Sequence, residues 1–185
     1  MAEKFFERHR ASCKIEAENF IKLPRKCQEM FFEQLTRHDE DSSGYMPFFV
    51  CGFPEGVQSP IESIFLMAFN VINYEYYDNL LCLESQYEIK TDGKKYRADF
   101  VFDTELLEYQ VAEKAYKLVI ECDGHEFHKA TKEQVKKDNE RDMALKKLGY
   151  DVLHYSGSQI YEEPWKCADE VCSYIFSKIG TVREV

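Results

Sequence analysis

The feature that most limits this chain is an apolar run that ends in acid. Tyr116–Cys122 reads as a β-strand, with Leu118, Ile120 and Cys122 on one face and Val119 and Glu121 on the other. Asp123 ends the strand and Gly124 turns the chain. Because side chains alternate, Glu121 and Asp123 point the same way, about 7 Å apart at ~3.4 Å per residue. The preceding strand, Tyr96–Phe102, is expected to pair antiparallel with it. There Tyr96, Ala98, Phe100 and Phe102 share one face, and Arg97, Asp99 and Val101 share the other. Asp99 in mid-strand can then share the face of the other two acids.

Three carboxylates on two adjacent strands repel one another unless something neutralises them. A hard divalent cation binds carboxylate oxygens and removes that cost. It also polarises a phosphodiester and generates hydroxide. Simpler uses stand beside this one: Asp99 paired with Arg97, and Asp123 as a turn residue.

Ser59-Pro60-Ile61-Glu62 is a helix start, with Ser59 as N-cap, Pro60 at the first helical position and Glu62 three residues after the cap. Ile61, Ile64, Phe65, Ala68, Phe69, Val71 and Ile72 make the following helix mostly apolar and buried. Glu62 therefore has two uses open to it, as capping residue or as a fourth oxygen ligand. A short strand, Gln86–Ile89, precedes a Thr91-Asp92-Gly93 turn. After the acidic strand come a helix over Thr131–Leu148 stopped by Gly149, a strand over Tyr150–Tyr155 and an amphipathic helix over Trp165–Ile179. The order from Ser59 is α-β-β-β-α-β-α, an α/β fold with a mixed sheet. Residues 59–185 form that domain. Residues 1–58 form an N-terminal helical extension, helical over 3–37 with a break near Pro24, followed by a linker.

Charge is unevenly placed. The net charge is −10, which disfavours duplex DNA held on a broad basic surface. Residues 61–128 hold 14 acids against 6 bases, whereas residues 129–150 hold 7 bases against 4 acids. The basic stretch is either a solvated helix face or a phosphate-contacting helix beside a carboxylate site. Lys129, Lys136 and Arg141 are its candidate contacts. Arg141 also lies one turn from Asp138 and can pair with it instead. His125 and His128 follow the acidic strand in DGHEFHK, with four uses open to them: metal site as a pair, phosphate contact, general acid, or surface histidine.

No apolar run approaches the ~20 residues that span a bilayer, and Met1–Arg10 lacks the apolar stretch of a signal peptide. Seven cysteines, with no C-x-x-C pair, read as free thiols of a cytoplasmic protein. No nucleophile elbow, phosphate-binding Gly loop or dinucleotide motif supports a small-molecule hydrolase.

The run LVIECDGHEFH, then KEQVKKDNERDMALKKLGYDVLHYSGSQI, resembles a bacterial nuclease-like group. That group is related to very-short-patch-repair endonucleases within the PD-(D/E)XK superfamily. SPIE, opening a helix, and Gln86 before YRADF fit in order upstream, so the resemblance covers about Ser59 to Ile179. It implies a restriction-endonuclease-like αβββαβ core, with helices flanking the sheet. It also implies phosphodiester hydrolysis dependent on Mg2+ (Mn2+ as a substitute), with nucleic acid, DNA in particular, as substrate. By the same resemblance Asp99, Glu121 and Asp123 are metal ligands, with Glu62 as the helix acid. His128 matches a histidine that follows the acidic strand, and Asp138 and Arg141 match a D-x-x-R signature.

One departure stands out. The superfamily pattern is an acid, one residue, then Lys, and here Asp123 occupies the Lys position. Lys129, Lys136 and the histidines are the cations that could take over its role. Residues 1–58 lie outside the resemblance and are candidates to extend the core, to self-associate or to bind a protein partner. A catalytically silent module of the same fold is the competing reading.

Overall fold

A computed structural model describes residues 22–37, 56–77, 79–91, 93–107, 114–123 and 131–180. His125, His128 and Lys129, and most of residues 1–58, lie outside the described residues.

The elements are α1 (Arg25–Arg37), α2 (Pro60–Tyr76), β1 (Glu84–Thr91), β2 (Lys94–Asp103), β3 (Lys117–Asp123), α3 (Lys132–Lys147), β4 (Tyr150–Ser156), α4 (Gly157–Glu162) and α5 (Pro164–Ile179). The four strands form one sheet in the order β1-β2-β3-β4. The pairs β1–β2 and β2–β3 are antiparallel, and β3–β4 is parallel. α3 supplies the crossover that parallel neighbours require. This is the expected α/β architecture, a mixed sheet flanked by helices. α4 is an addition to it, begun by a capping box in which Ser156 and Gln159 satisfy each other's backbone N–H groups.

The sheet separates two apolar layers. One face carries Phe100, Phe102, Leu118, Ile120 and Cys122 against Phe65 and Phe69 of α2 and Val171 and Ile175 of α5. Leu23, Cys27 and Met30 join the same core, so the described part of the N-terminal region packs on α2. The other face is smaller: Ala98, Val101, Val119 and Tyr150 pack with Leu145 of α3.

β3 alternates as expected, but β2 does not. Ala98 packs with Val101 on the α3 side, while Phe100 and Phe102 lie on the α2 side. The expected shared face of Ala98, Phe100 and Phe102 is therefore corrected. The cause is local. β1 pairs Ser85 with Phe100 and Tyr87 with Ala98, and the ladder skips Gln86 and Asp99 between them. Gln86 has φ +52°, left-handed backbone that disfavours a side chain. One such step exchanges the faces of both strands, and no glycine in the sequence marks it.

Candidate active site

β2 and β3 separate at the acids. Their pairing runs from Asp103↔Lys117 to Phe100↔Ile120 and goes no further, while β3 continues to Asp123 along β4. Where the ladder ends, the Asp99 carboxylate takes its place: the Cys122 N–H donates to Asp99 Oδ2 at 2.7 Å. Asp99 therefore lies in the opening between the strands. Arg97, the alternative partner for Asp99, donates instead to Gln58 Oε1 at 2.9 Å.

Glu62 reaches the same opening from α2. Ser59 caps the helix as expected, its side chain accepting from the Glu62 N–H at 3.2 Å. The reciprocal bond differs from a full capping box. Glu62 Oε2 accepts from the Gln58 N–H at 2.8 Å, one residue before the cap. The same oxygen accepts from Gln86 Nε2 at 2.8 Å, and Gln86 also lies 3.4 Å from Asp99 Oδ1. The strained Gln86 thus links the two acids.

Glu121 and Asp123 both point to the α3 side, as strand alternation requires. Glu121 is buried and pairs with Arg141, whose guanidinium also donates to the Arg97 carbonyl at 2.9 Å. Arg141 is thus engaged by Glu121, a partner the sequence reading did not offer it. Asp123 pairs with His154 Nδ1 at 2.9 Å, and His154 Nε2 lies 3.2 Å from Asp142 Oδ2. His154 is opposite Glu121 in the β3–β4 register. Sequence reasoning missed His154, whereas the helical spacing of Asp138, Asp142 and Leu145 does put Asp142 on the inward face of α3. Alternation along β4 signals that His154 and Val152 share a face, but the parallel register that brings His154 to the acids is not local information. Lys136 lies elsewhere, exposed on α3 and 3.9 Å from Glu140, so it does not supply a cation to the acids.

Electrostatics favour added positive charge. Burial pushes Asp99 above the ordinary carboxylate range, and neighbouring Glu62 adds to this; the Cys122 N–H and Arg141 oppose it. Burial pushes Glu121 up to about 8, with Asp99 adding to the shift and Arg141 opposing it. His154 moves to about 9, chiefly through its hydrogen bond to Asp123. It is therefore an imidazolium at neutral pH, held between two carboxylates. Among the described residues, no three His, Cys, Asp or Glu side chains already stand together as an ion site. The donor chemistry nonetheless fits a hard divalent cation. Asp99, Glu121, Asp123 and Glu62 offer only oxygen, and the N–H donors around them leave Asp99 and Glu121 short of compensating charge.

No curated protein and no solved structure matches the chain. The family model REase_MTES_1575 matches residues 76–175, from the end of α2 through all four strands into α5. Glu62 lies upstream of that match, whereas Asp99, Glu121, Asp123, Arg141 and His154 lie within it. The match covers more than half of the chain, and with the mixed sheet and its helices it shows that the chain belongs to REase_MTES_1575, a restriction endonuclease-like family.

Proposed function

We propose that the protein is a divalent-metal-dependent nuclease that hydrolyses phosphodiester bonds in DNA, and that it is related to the very-short-patch-repair endonucleases. One observation carries this reading. In a restriction endonuclease-like chain, the β2–β3 ladder opens at Asp99, and Glu62 and Glu121 border the opening. Asp99, Glu121 and Asp123, with Glu62, would hold Mg2+ or Mn2+. The ion would supply Lewis-acid polarisation of the phosphodiester and a hydroxide nucleophile.

The chain's own groups do the rest. The Cys122 N–H fixes the Asp99 carboxylate, and Gln86 ties it to Glu62. Arg141 holds Glu121 and places a positive charge beside the acids, where negative charge grows on a phosphate under attack. His154 orients Asp123 from β4 and is anchored on α3 by Asp142. Arg141 and His154 thus take over the cationic role left vacant by Asp123 at the Lys position. His128 is proposed as general acid, and His125, Lys129 and Lys136 as nucleic-acid contacts.

A second reading is a catalytically silent module that binds a nucleic acid, or a protein through residues 1–58. The ion pairs that engage Glu121 and Asp123 favour it. Metal binding separates the two. Titration of Mn2+ by calorimetry should give saturable binding in the wild type and none in Asp99→Asn/Asp123→Asn. Absence of wild-type binding would favour the silent module.

A further inference from the structure

A groove of about 770 Å3 lies between the β1–β2 hairpin and α3. Lys94 on the hairpin and Lys132, Lys136 and Lys147 on α3 line it, against a single acid, Glu140. This is a local reversal of sign in a chain of net charge −10. The groove is also apolar. Tyr96, Val135, Met143 and Leu148 line it, and the last three are exposed by 48%, 56% and 42%. Among the described residues seven large hydrophobic side chains are exposed, and three of them are here. A side chain that only solvated the helix would have no reason to be apolar at these positions.

We propose that this groove binds a single strand of DNA on its way to the acid cluster. The inference rests on the nuclease reading and adds to it the strandedness of the substrate and the place where it lies. Lysines at the rim match the charge of a phosphate backbone. Apolar and aromatic side chains between them match unstacked bases, which bury their faces without sequence preference. A duplex keeps its bases stacked inside and would set its phosphates against Val135, Met143 and Leu148, at a desolvation cost. An RNA strand would press 2′-hydroxyls on the same apolar wall, where they lose water without gaining partners.

The groove and the acids share two elements, α3 and β2. α3 carries Asn139 and Glu140 on the groove side, and the next two residues, Arg141 and Asp142, contact Glu121 and His154. Along β2, Tyr96 lies three residues before Asp99, about 10 Å at ~3.3 Å per residue. A polymer held in the groove has only about that distance, a few phosphates, to cover to the acids, which an acidic peptide has no need to do.

The test is fluorescence anisotropy with the full chain in EDTA, so that binding is read without cleavage. The probes are one labelled DNA oligonucleotide, its duplex and the RNA strand of the same sequence, with polyglutamate as competitor. We expect the DNA strand to bind at least about tenfold more tightly than the duplex or the RNA. Lys136→Glu/Lys147→Glu should weaken it by about tenfold or more. It should also flatten the slope of log K against log salt by about 1.4, at ~0.7 for each phosphate no longer neutralised by a lysine. Tyr96→Leu, which keeps bulk but removes the ring, should weaken the single strand about fivefold and leave the duplex unchanged. Unchanged thermal unfolding shows that the variants are folded.

Four results would overturn the proposal: no binding, equal or tighter binding of duplex or RNA, equal competition by polyglutamate, or binding that neither variant alters. Groove-dependent binding without cleavage in Mn2+ would support the groove and reject the nuclease reading. Metal-dependent cleavage with groove-independent binding would do the reverse.

Discussion

Asp99 does at the end of the β2–β3 ladder what a backbone carbonyl does elsewhere in the sheet: it accepts the Cys122 N–H. Two substitutions should therefore separate fold from chemistry. Asp99→Asn keeps an acceptor, so unfolding should change little while cleavage falls at least about 100-fold. Asp99→Ala leaves the N–H without a partner and should cost about 1–3 kcal/mol, or ~2–4 °C of Tm for each kcal/mol. His154→Gln should lower cleavage about 10–100-fold and weaken Mn2+ binding, because Asp123 loses its anchor to α3. Stability should also fall as pH rises. Glu121 holds its proton more tightly folded, with a pKa of about 8 against 4.5, so the folded protein is favoured below pH 4.5 and that advantage is lost up to about 8. His154, at about 9 against 6.5, acts in the same direction between those values. Thermal unfolding across pH 5–9, within those two windows, should show the decline, and Glu121→Gln should flatten its lower half. A wild-type Tm that climbs with pH would contradict it. The common direction of Glu121 and Asp123 was legible because β3 alternates regularly. The reversal at Asp99 was not, since it depends on a left-handed Gln86 where sequence offers no glycine.

Among the elements, α2 shows most clearly how local chemistry places a site residue. Ser59 and Pro60 start the helix at one turn only, and that turn carries Glu62 to the opening between β2 and β3. Ser59→Ala should cost about 1 kcal/mol, read as a Tm lower by ~2–4 °C. It should also lower Mn2+ affinity if Glu62 is a ligand. The cap, the apolar face of α2 and the Gly149 stop of α3 were readable, because each is set by residues close in sequence. Apolar pattern understates the strand ends: β1 spans Glu84–Thr91 rather than Gln86–Ile89, since ladder bonds with β2 extend it beyond its apolar centre. α4 is not legible although Ser156 and Gln159 carry a capping-box spacing, because six residues are too few to show helical periodicity.

Across the whole molecule, the sheet divides labour between its faces. The larger core, with α2 and α5, holds Glu62 from behind. The smaller one, with α3, carries Arg141 and Asp142 to the acids and lysines to the groove. On the proposed reading, the acid-rich stretch and the basic helix that follows it serve one site. The element order was legible in the sequence, whereas the contacts of Arg141 and His154 depend on long-range pairing. The most direct test is cleavage of supercoiled plasmid, linear duplex, single-stranded DNA and RNA, with Mg2+ or Mn2+, by wild type and Asp123→Ala. Metal-dependent cleavage of DNA by the wild type, lost in the folded variant, is the predicted result. Equal cleavage by both proteins, or none of any substrate by the wild type, would contradict the account.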